Sequence, residues 1–297
     1  MSWRAWLAFA ALGLIWGLPY FFIKLAVQEI SPFAVAFGRI LLALAILLPL
    51  ALRKGALKSL RGRWLPVIAF GIAEFAVPFS AISLGERWID SSVTGILIAA
   101  VPLVVAVISP LFGVREDFGA PRVAGLILGL VGVMTLVGFG SINGVTGWIG
   151  VVCMIIAATG YAVGPLIIQR YLRGVDSLGP IAGSLLVACI ILVVPAIATG
   201  PRQMPSNIAL GSVLILGVLC TSIAMLLMFY LVSHAGASRA TVITYINPAV
   251  ATLLGVLVLH EHLGVGGLLG FALILVGSWL ATRGNLTAAK QHSESLA

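Results

Sequence analysis

Long apolar stretches alternate with short polar connections along the chain. Ten stretches stand out, at about 5–27, 33–52, 65–85, 90–113, 121–139, 146–170, 178–199, 208–233, 238–259 and 264–282. A helix of roughly 20 residues crosses about 30 Å of hydrocarbon, and these stretches have that length. No connection exceeds about a dozen residues, so no soluble domain fits between them. The pattern predicts an all-α integral membrane protein of ten transmembrane helices. The first stretch follows Arg4 as in a signal peptide. It is too long for a signal h-region and has no convincing cleavage site, so it is read as the first span.

The same pattern occurs twice. Shifting the first half by 146 positions, the distance from Pro19 to Pro165, also lays Pro49 on Pro195, Pro102 on Pro248, Gly71 on Gly217 and Lys24 on Arg170. One residue out of step, Glu116 falls on Glu261, Gly119 on Gly264, Gly125 on Gly270 and Gly132 on Gly277. Each half holds an odd number of spans, so the second enters the membrane from the opposite side. This predicts two inverted five-helix repeats, residues 1–140 and 146–283, followed by a cytoplasmic tail, 284–297.

Composition sharpens the picture. Of 297 residues, 61% are hydrophobic and 9% charged, far below the roughly 25% of a soluble protein. The net charge of +8 does not indicate nucleic acid, because the basic residues sit in short connections. With the N-terminus in the cytoplasm, that side collects nearly all Arg and Lys. Arg87 and Arg202 lie on the far side, and Lys24 and Arg39 within spans. The positive-inside rule then puts both termini in the cytoplasm. Trp3, Trp6, Trp64, Trp88, Trp148 and Trp279 fall near span ends, as an interfacial belt requires, while Trp16 sits mid-span. Cys153, Cys189 and Cys220 lie in apolar runs without metal or disulfide spacing and read as buried thiols.

Candidate chemistry is confined to the spans. Pro19, Pro78, Pro102, Pro165 and Pro248 each remove a backbone donor in hydrocarbon, which is tolerated where the freed groups face protein or a wet cavity. The pairs Pro19/Pro165 and Pro102/Pro248 point to a site near the midplane, the alternative being simple kinks. An intramembrane charge also needs a reason. Glu74 lies near the middle of the third span and Arg39 about two turns into the second. They form a structural pair, or Glu74 titrates in proton coupling. Lys24, near a span end, can snorkel. Trp16, Tyr20, Phe75, Phe79, Tyr161, Met225, Met228, Tyr245 and Asn247 would suit a cavity for a partly apolar solute, or serve as ordinary packing. The amide of Asn247 would meet a substrate carboxylate or a freed carbonyl. The predicted cavity lining is Trp16, Gly17, Pro19, Tyr20, Glu74, Phe75, Phe79, Pro102, Tyr161, Gly164, Pro165, Met225, Tyr245, Asn247 and Pro248. Gly125–Gly129 and Gly266–Gly270 carry GxxxG, which lets helices approach closely. His260–His262 (HEH) lacks zincin spacing, and neither a P-loop nor a Ser–His–Asp set can be drawn. No enzyme, cofactor or metal is expected.

The segments SPFAVAFGRILLA (with Pro32 and Arg39), VPLVVAVISPLFGVRE (Val101–Glu116), NPAVATLLGVLVLHE (Asn247–Glu261) and the following GLLGFALILVGSWL resemble those of EamA-type drug/metabolite transporters over nearly the whole chain. Within that family the chain looks most like YddG-type bacterial exporters of aromatic and other neutral amino acids. The resemblance implies export across the bacterial inner membrane by alternating access around a central cavity, with amino acids and the lipid bilayer as partners. The oligomeric state stays open, a monomer being compatible. Four-helix multidrug relatives use a glutamate in the first span. None is present here, so that proton-coupling role does not transfer. Efflux of cationic drugs or other small metabolites is the alternative function, and a membrane enzyme or scaffold a more distant one.

Overall fold

The computed structural model describes residues 3–113, 119–138, 144–235, 243 and 246–294, with backbone alone for 235 and 282–294. Among the described residues the protein is all-helical. Eight helices are long and apolar enough to cross a bilayer: α1 (Trp3–Ala26), α2 (Pro32–Arg53), α3 (Trp64–Gly85), α4 (Ser91–Phe112), α5 (Ala120–Gly138), α6 (Gly144–Tyr171), α7 (Leu178–Ala198) and α8 (Asn207–His234). Two more apolar helices follow. Helix α9 is Asn247–Leu257, and α10 is Val265–Glu294, apolar as far as Ala281. Helix α9 is only half the length of the stretch predicted at 238–259. Most of the difference lies outside the described residues, which begin again in sequence at Ile246. Helix α10 continues past the predicted end at 282, running through Gly284 to Glu294.

Local sequence explains the helix ends. Ser31 caps α2 by accepting from the backbone N–H of Ala34 at 3.2 Å, with Pro32 in the first turn, where its missing N–H costs nothing. Ser206 caps α8 in the same way through Ala209 at 3.2 Å. Apolar side chains such as Leu14, Ile127, Ile155, Ile190 and Leu214 point outward, and Trp3, Trp6, Trp64, Trp88, Trp148 and Trp279 are exposed near helix ends. An apolar outer surface with an aromatic rim matches a lipid surround.

The proline expectation holds in part. Helix α1 breaks at Leu18, just before Pro19, and α4 breaks at Ala99–Ala100, just before Pro102. Helix α6 runs unbroken through Pro165, whose side chain is exposed. A single missing hydrogen bond bends a long, well-packed helix without ending it. Pro165 therefore neither breaks its span nor faces the interior.

Two features absent from the predictions fall in matching places. Helix α3 contains a π-helical segment, Gly71–Ala76, and α8 another, Val218–Ile223. The first is preceded by Phe70 and begins at Gly71; the second directly follows Gly217, the counterpart of Gly71. Both glycines sit at close helix crossings. A Cβ on Gly71 would lie 2.7 Å from the carbonyl oxygen of Ser184 in α7, and one on Gly217 would lie 2.9 Å from that of Arg39 in α2. Helix pairings are matched too: α3 packs on α6 as α8 packs on α1, and α1 on α9 as α6 on α4. The pairs α2–α7, α4–α9 and α5–α10 join sequence counterparts, and α3–α7 matches α2–α8.

The α5–α10 crossing is the most intimate. A Cβ on Gly125 would stand 2.7 Å from the carbonyl oxygen of Gly277, and one on Gly270 would stand 2.7 Å from that of Gly132. Small residues allow this approach, which favours dispersion contacts where lipid removes the hydrophobic drive between helices.

Candidate functional site

The predicted lining residues separate into groups. The first lies where α1, α2, α3, α6 and α8 meet. The π segment of α3 turns Glu74 toward α6, where its carboxylate presses on Gly164; a side chain there would collide with it. Glu74 Oε2 is buried with no hydrogen-bond partner among the described residues. One turn along, Phe75 and Phe79 stack edge-on with centroids 5.7 Å apart, and Phe70 meets Phe75 in the same way at 5.8 Å. The Arg39 guanidinium lies 3.7 Å over the Phe79 ring. Tyr161 borders both main apolar clusters within electrostatic reach of Arg39 and Glu74, and Tyr20 is buried alongside. Met225 packs at the rim of the same aromatic cluster.

Arg39 does not pair with Glu74. Its Nε donates to Thr221 Oγ1 at 2.8 Å, reaching from α2 into the π segment of α8. The Thr221 and Ser222 hydroxyls in turn donate to the carbonyls of Leu216 (2.8 Å) and Gly217 (3.0 Å), five residues back. The wider π turn leaves those carbonyls open to side chains. Arg39 is thus held by a hydroxyl and an aromatic face, with its charge uncancelled by a carboxylate. Among the described residues the one ion pair is Lys24–Asp90, at 4.0 Å.

A second group lies between α1, α8 and α9. Gly17 ends the first segment of α1 against Val250, with no room for a side chain. Pro19 and Pro248 are buried, each in the first turn of a helical segment. Trp16 packs beside Met228 and Ile243. With its amide oriented so that the nitrogen faces two carbonyls, Asn247 would donate to Ile243 (3.0 Å) and Gly13 (3.2 Å), neither of them a carbonyl freed by a proline. Pro102 and Pro165 lie apart from both groups, and Tyr245 lies outside the described residues.

In this conformation the centre is closed. Phe75 is 1% exposed and Tyr20 8%. A cavity of about 300 Å³ opens beside Phe70, Leu172, Pro180 and Phe229, and another of about 540 Å³ between Ile30, Leu42 and Leu214. Neither contains a predicted lining residue. Both are walled mainly by apolar side chains, with Ser177 and Ser233 at the smaller one.

Sequence reasoning missed Thr221, Ser222, Glu86 and Glu261. Thr221 and Ser222 form a polar pair in an apolar run, directly after Cys220, the repeat counterpart of Glu74, which was a usable signal. Glu86 and Glu261 lie in connections, where carboxylates are ordinarily solvated. Lys24 was expected to snorkel; instead its Nζ donates to the backbone carbonyls of Glu86 (2.9 Å) and Ile89 (2.7 Å), capping the end of α3.

A model described as the EamA-like transporter family matches residues 3–138 and 148–283. An uncharacterized transporter of Archaeoglobus fulgidus is 27% identical over 292 residues, covering 94% of this chain and 99% of its own. The uncharacterized inner membrane transporter YedA of Escherichia coli K12 is 29% identical over 277 residues, covering 91% of this chain and 89% of its own. A solved crystal structure superposes with a TM-score of 0.66 at 23% identity, covering 95% of this chain and 97% of that one, a likeness of fold.

Proposed function

This chain belongs to the EamA-like transporter family and is a multi-pass membrane transporter, and from that premise we propose that it exports amino acids, aromatic and other neutral ones over a broad range. The proposed topology is ten spans with both termini in the cytoplasm of a bacterium, in the inner membrane. Two inverted repeats, 1–140 and 146–283, rock against each other around a fixed central site. The closed centre is then one station of the cycle, and opening separates the faces joined at α2–α8 and α3–α6.

One observation carries the substrate class. Arg39 and Glu74 are a basic and an acidic group beside a shared aromatic patch, without pairing with each other. A zwitterion supplies the missing partners: its carboxylate meets the Arg39 guanidinium, its ammonium meets Glu74, and its side chain stacks among Phe75, Phe79 and Tyr161. Uptake into proteoliposomes of labelled phenylalanine, methionine and tetraphenylphosphonium tests this. Transport of both amino acids and not of the cation supports the reading.

The second reading, efflux of cationic drugs, is favoured by the unpartnered carboxylate of Glu74 alone, which suits a lipophilic cation. Transport of tetraphenylphosphonium without the amino acids would replace the first reading with this one.

A further inference from the structure

Glu86 immediately follows α3 and is 0% exposed. Neither of its carboxylate oxygens has a hydrogen-bond partner among the described residues. Burying an ionised carboxylate without hydrogen bonds is among the costliest arrangements a protein can contain.

A roof covers this carboxylate. Lys24 ties down the carbonyls of Glu86 and Ile89. From the other half, Glu261 grips the start of α4. Its Oε1 accepts from the Ser91 N–H and Oγ, both at 2.8 Å, and its Oε2 accepts from the Ser92 N–H at 2.9 Å. The preceding residue, His260, is the only described non-glycine with positive φ (55°), and that turn aims Glu261 at α4. Ser91 and Ser92 are sealed beneath.

The charges around Glu86 do not resolve its burial. Lys24 spends its ammonium on carbonyls and stands 4.0 Å from Asp90. Arg39 from α2 is committed to Thr221 and Phe79. Tyr20 from α1, Cys153 from α6, Asp90 in the same connection, and Glu261 and His262 after α9 complete the titratable surroundings. Burial outweighs the attraction of Lys24 and holds the Glu86 carboxyl well above its ordinary range, with Glu261 pushing the same way.

We propose that Glu86 is a proton-binding site built into this roof: the roof shuts over the neutral acid and opens when the acid ionises. Ionisation brings a charge that only water can solvate, and water enters only when the Glu261 clamp and the Lys24 cap let go. The closed form binds the proton more tightly than the open form. Closure is therefore favoured at low pH and lost as pH rises through the raised value of the closed form. Glu86 would bind its proton whatever the solute and whichever face is periplasmic.

The test is maleimide labelling of purified protein in detergent. The native cysteines are replaced by alanine, and a reporter is introduced by Ser92→Cys. The Ser92 side chain is 1% exposed and its Oγ has no partner, so the change breaks no hydrogen bond. Rates are normalised to Met204→Cys, at a position 88% exposed, which corrects for thiol ionisation. With native Glu86, normalised labelling should rise at least about fivefold from about pH 5.5 to about 8.5. With Glu86→Gln it should stay low and flat. A flat profile with native Glu86 would overturn the proposal without recourse to any Glu86 variant, and so would an unchanged slope in Glu86→Gln.

Discussion

Arg39 Nε donates to Thr221 Oγ1 across 2.8 Å, linking α2 of the first half to the π segment of α8 in the second. The bond is buried at both ends. Thr221→Val keeps the shape and removes the acceptor, leaving a charged donor without a partner. The expected loss is about 1–3 kcal/mol, seen as a lower melting temperature in detergent, whereas Thr221→Ser should melt close to the native protein. Equal melting of the valine and serine variants would mean that the hydroxyl is not holding Arg39.

The α5–α10 crossing yields a steric prediction. A methyl at Gly125 would meet the backbone of Gly277 and Ala281, which cannot swing aside. Gly125→Ala should cost about 1–3 kcal/mol through overpacking. Gly211 in α8 has open space around it, so Gly211→Ala should be neutral or stabilising by up to about 1 kcal/mol. Thermal melts of the two variants side by side decide the point, and a Gly125→Ala protein as stable as Gly211→Ala would refute the tight crossing.

Gly164 leaves room for the Glu74 carboxylate, and any side chain there would strike it. Gly164→Val should displace Glu74 and reduce transport at least about tenfold, while the protein is still made and inserted. A tenfold loss corresponds to about 1.4 kcal/mol of barrier, a modest demand for a displaced site residue. Transport per molecule, with membrane abundance measured by blot, is the readout. Native flux in this variant would remove Glu74 from the site.

Glu29 after α1 accepts from Ser206 N–H and Oγ, both at 2.6 Å, joining the start of α8 to the first half. These bonds hold the Glu29 carboxyl below its ordinary value of 4.5. Their contribution is present above that value and disappears as pH falls through the lowered one. Melting temperature should therefore fall more steeply below about pH 4.5 in the native protein than in Glu29→Gln. Parallel melting curves for the two proteins would show the contact to be energetically idle.

The positions of the membrane helices were readable because hydrocarbon demands long apolar runs; the GxxxG glycines do pack at the α5–α10 crossing, but Gly125 and Gly129 lie against Gly277 and Gly270 lies against Gly132, so the two motifs do not face each other. Internal sequence similarity had aligned Gly71 with Gly217, and both sit at close helix crossings. The π segments were not legible, because no residue type in Gly71–Ala76 or Val218–Ile223 specifies them; they pack against α7 and α2, residues distant in sequence. Proline was read too uniformly. Pro19 and Pro102 interrupt their helices, whereas Pro165 sits in an unbroken helix with its ring outward. The hydrogen-bond partner of Arg39 was missed for a geometric reason: Thr221 is 182 positions away, and only the fold brings it near.

The central claim is that a zwitterionic solute crosses by binding between Arg39 and Glu74. Phenylalanine counterflow in proteoliposomes, with native protein, Arg39→Gln and Glu74→Gln run in parallel, tests it most directly. The account predicts transient accumulation of label by the native protein and its loss in both variants. Accumulation by the variants at the native level would contradict it, as would a native protein that exchanges no amino acid at all.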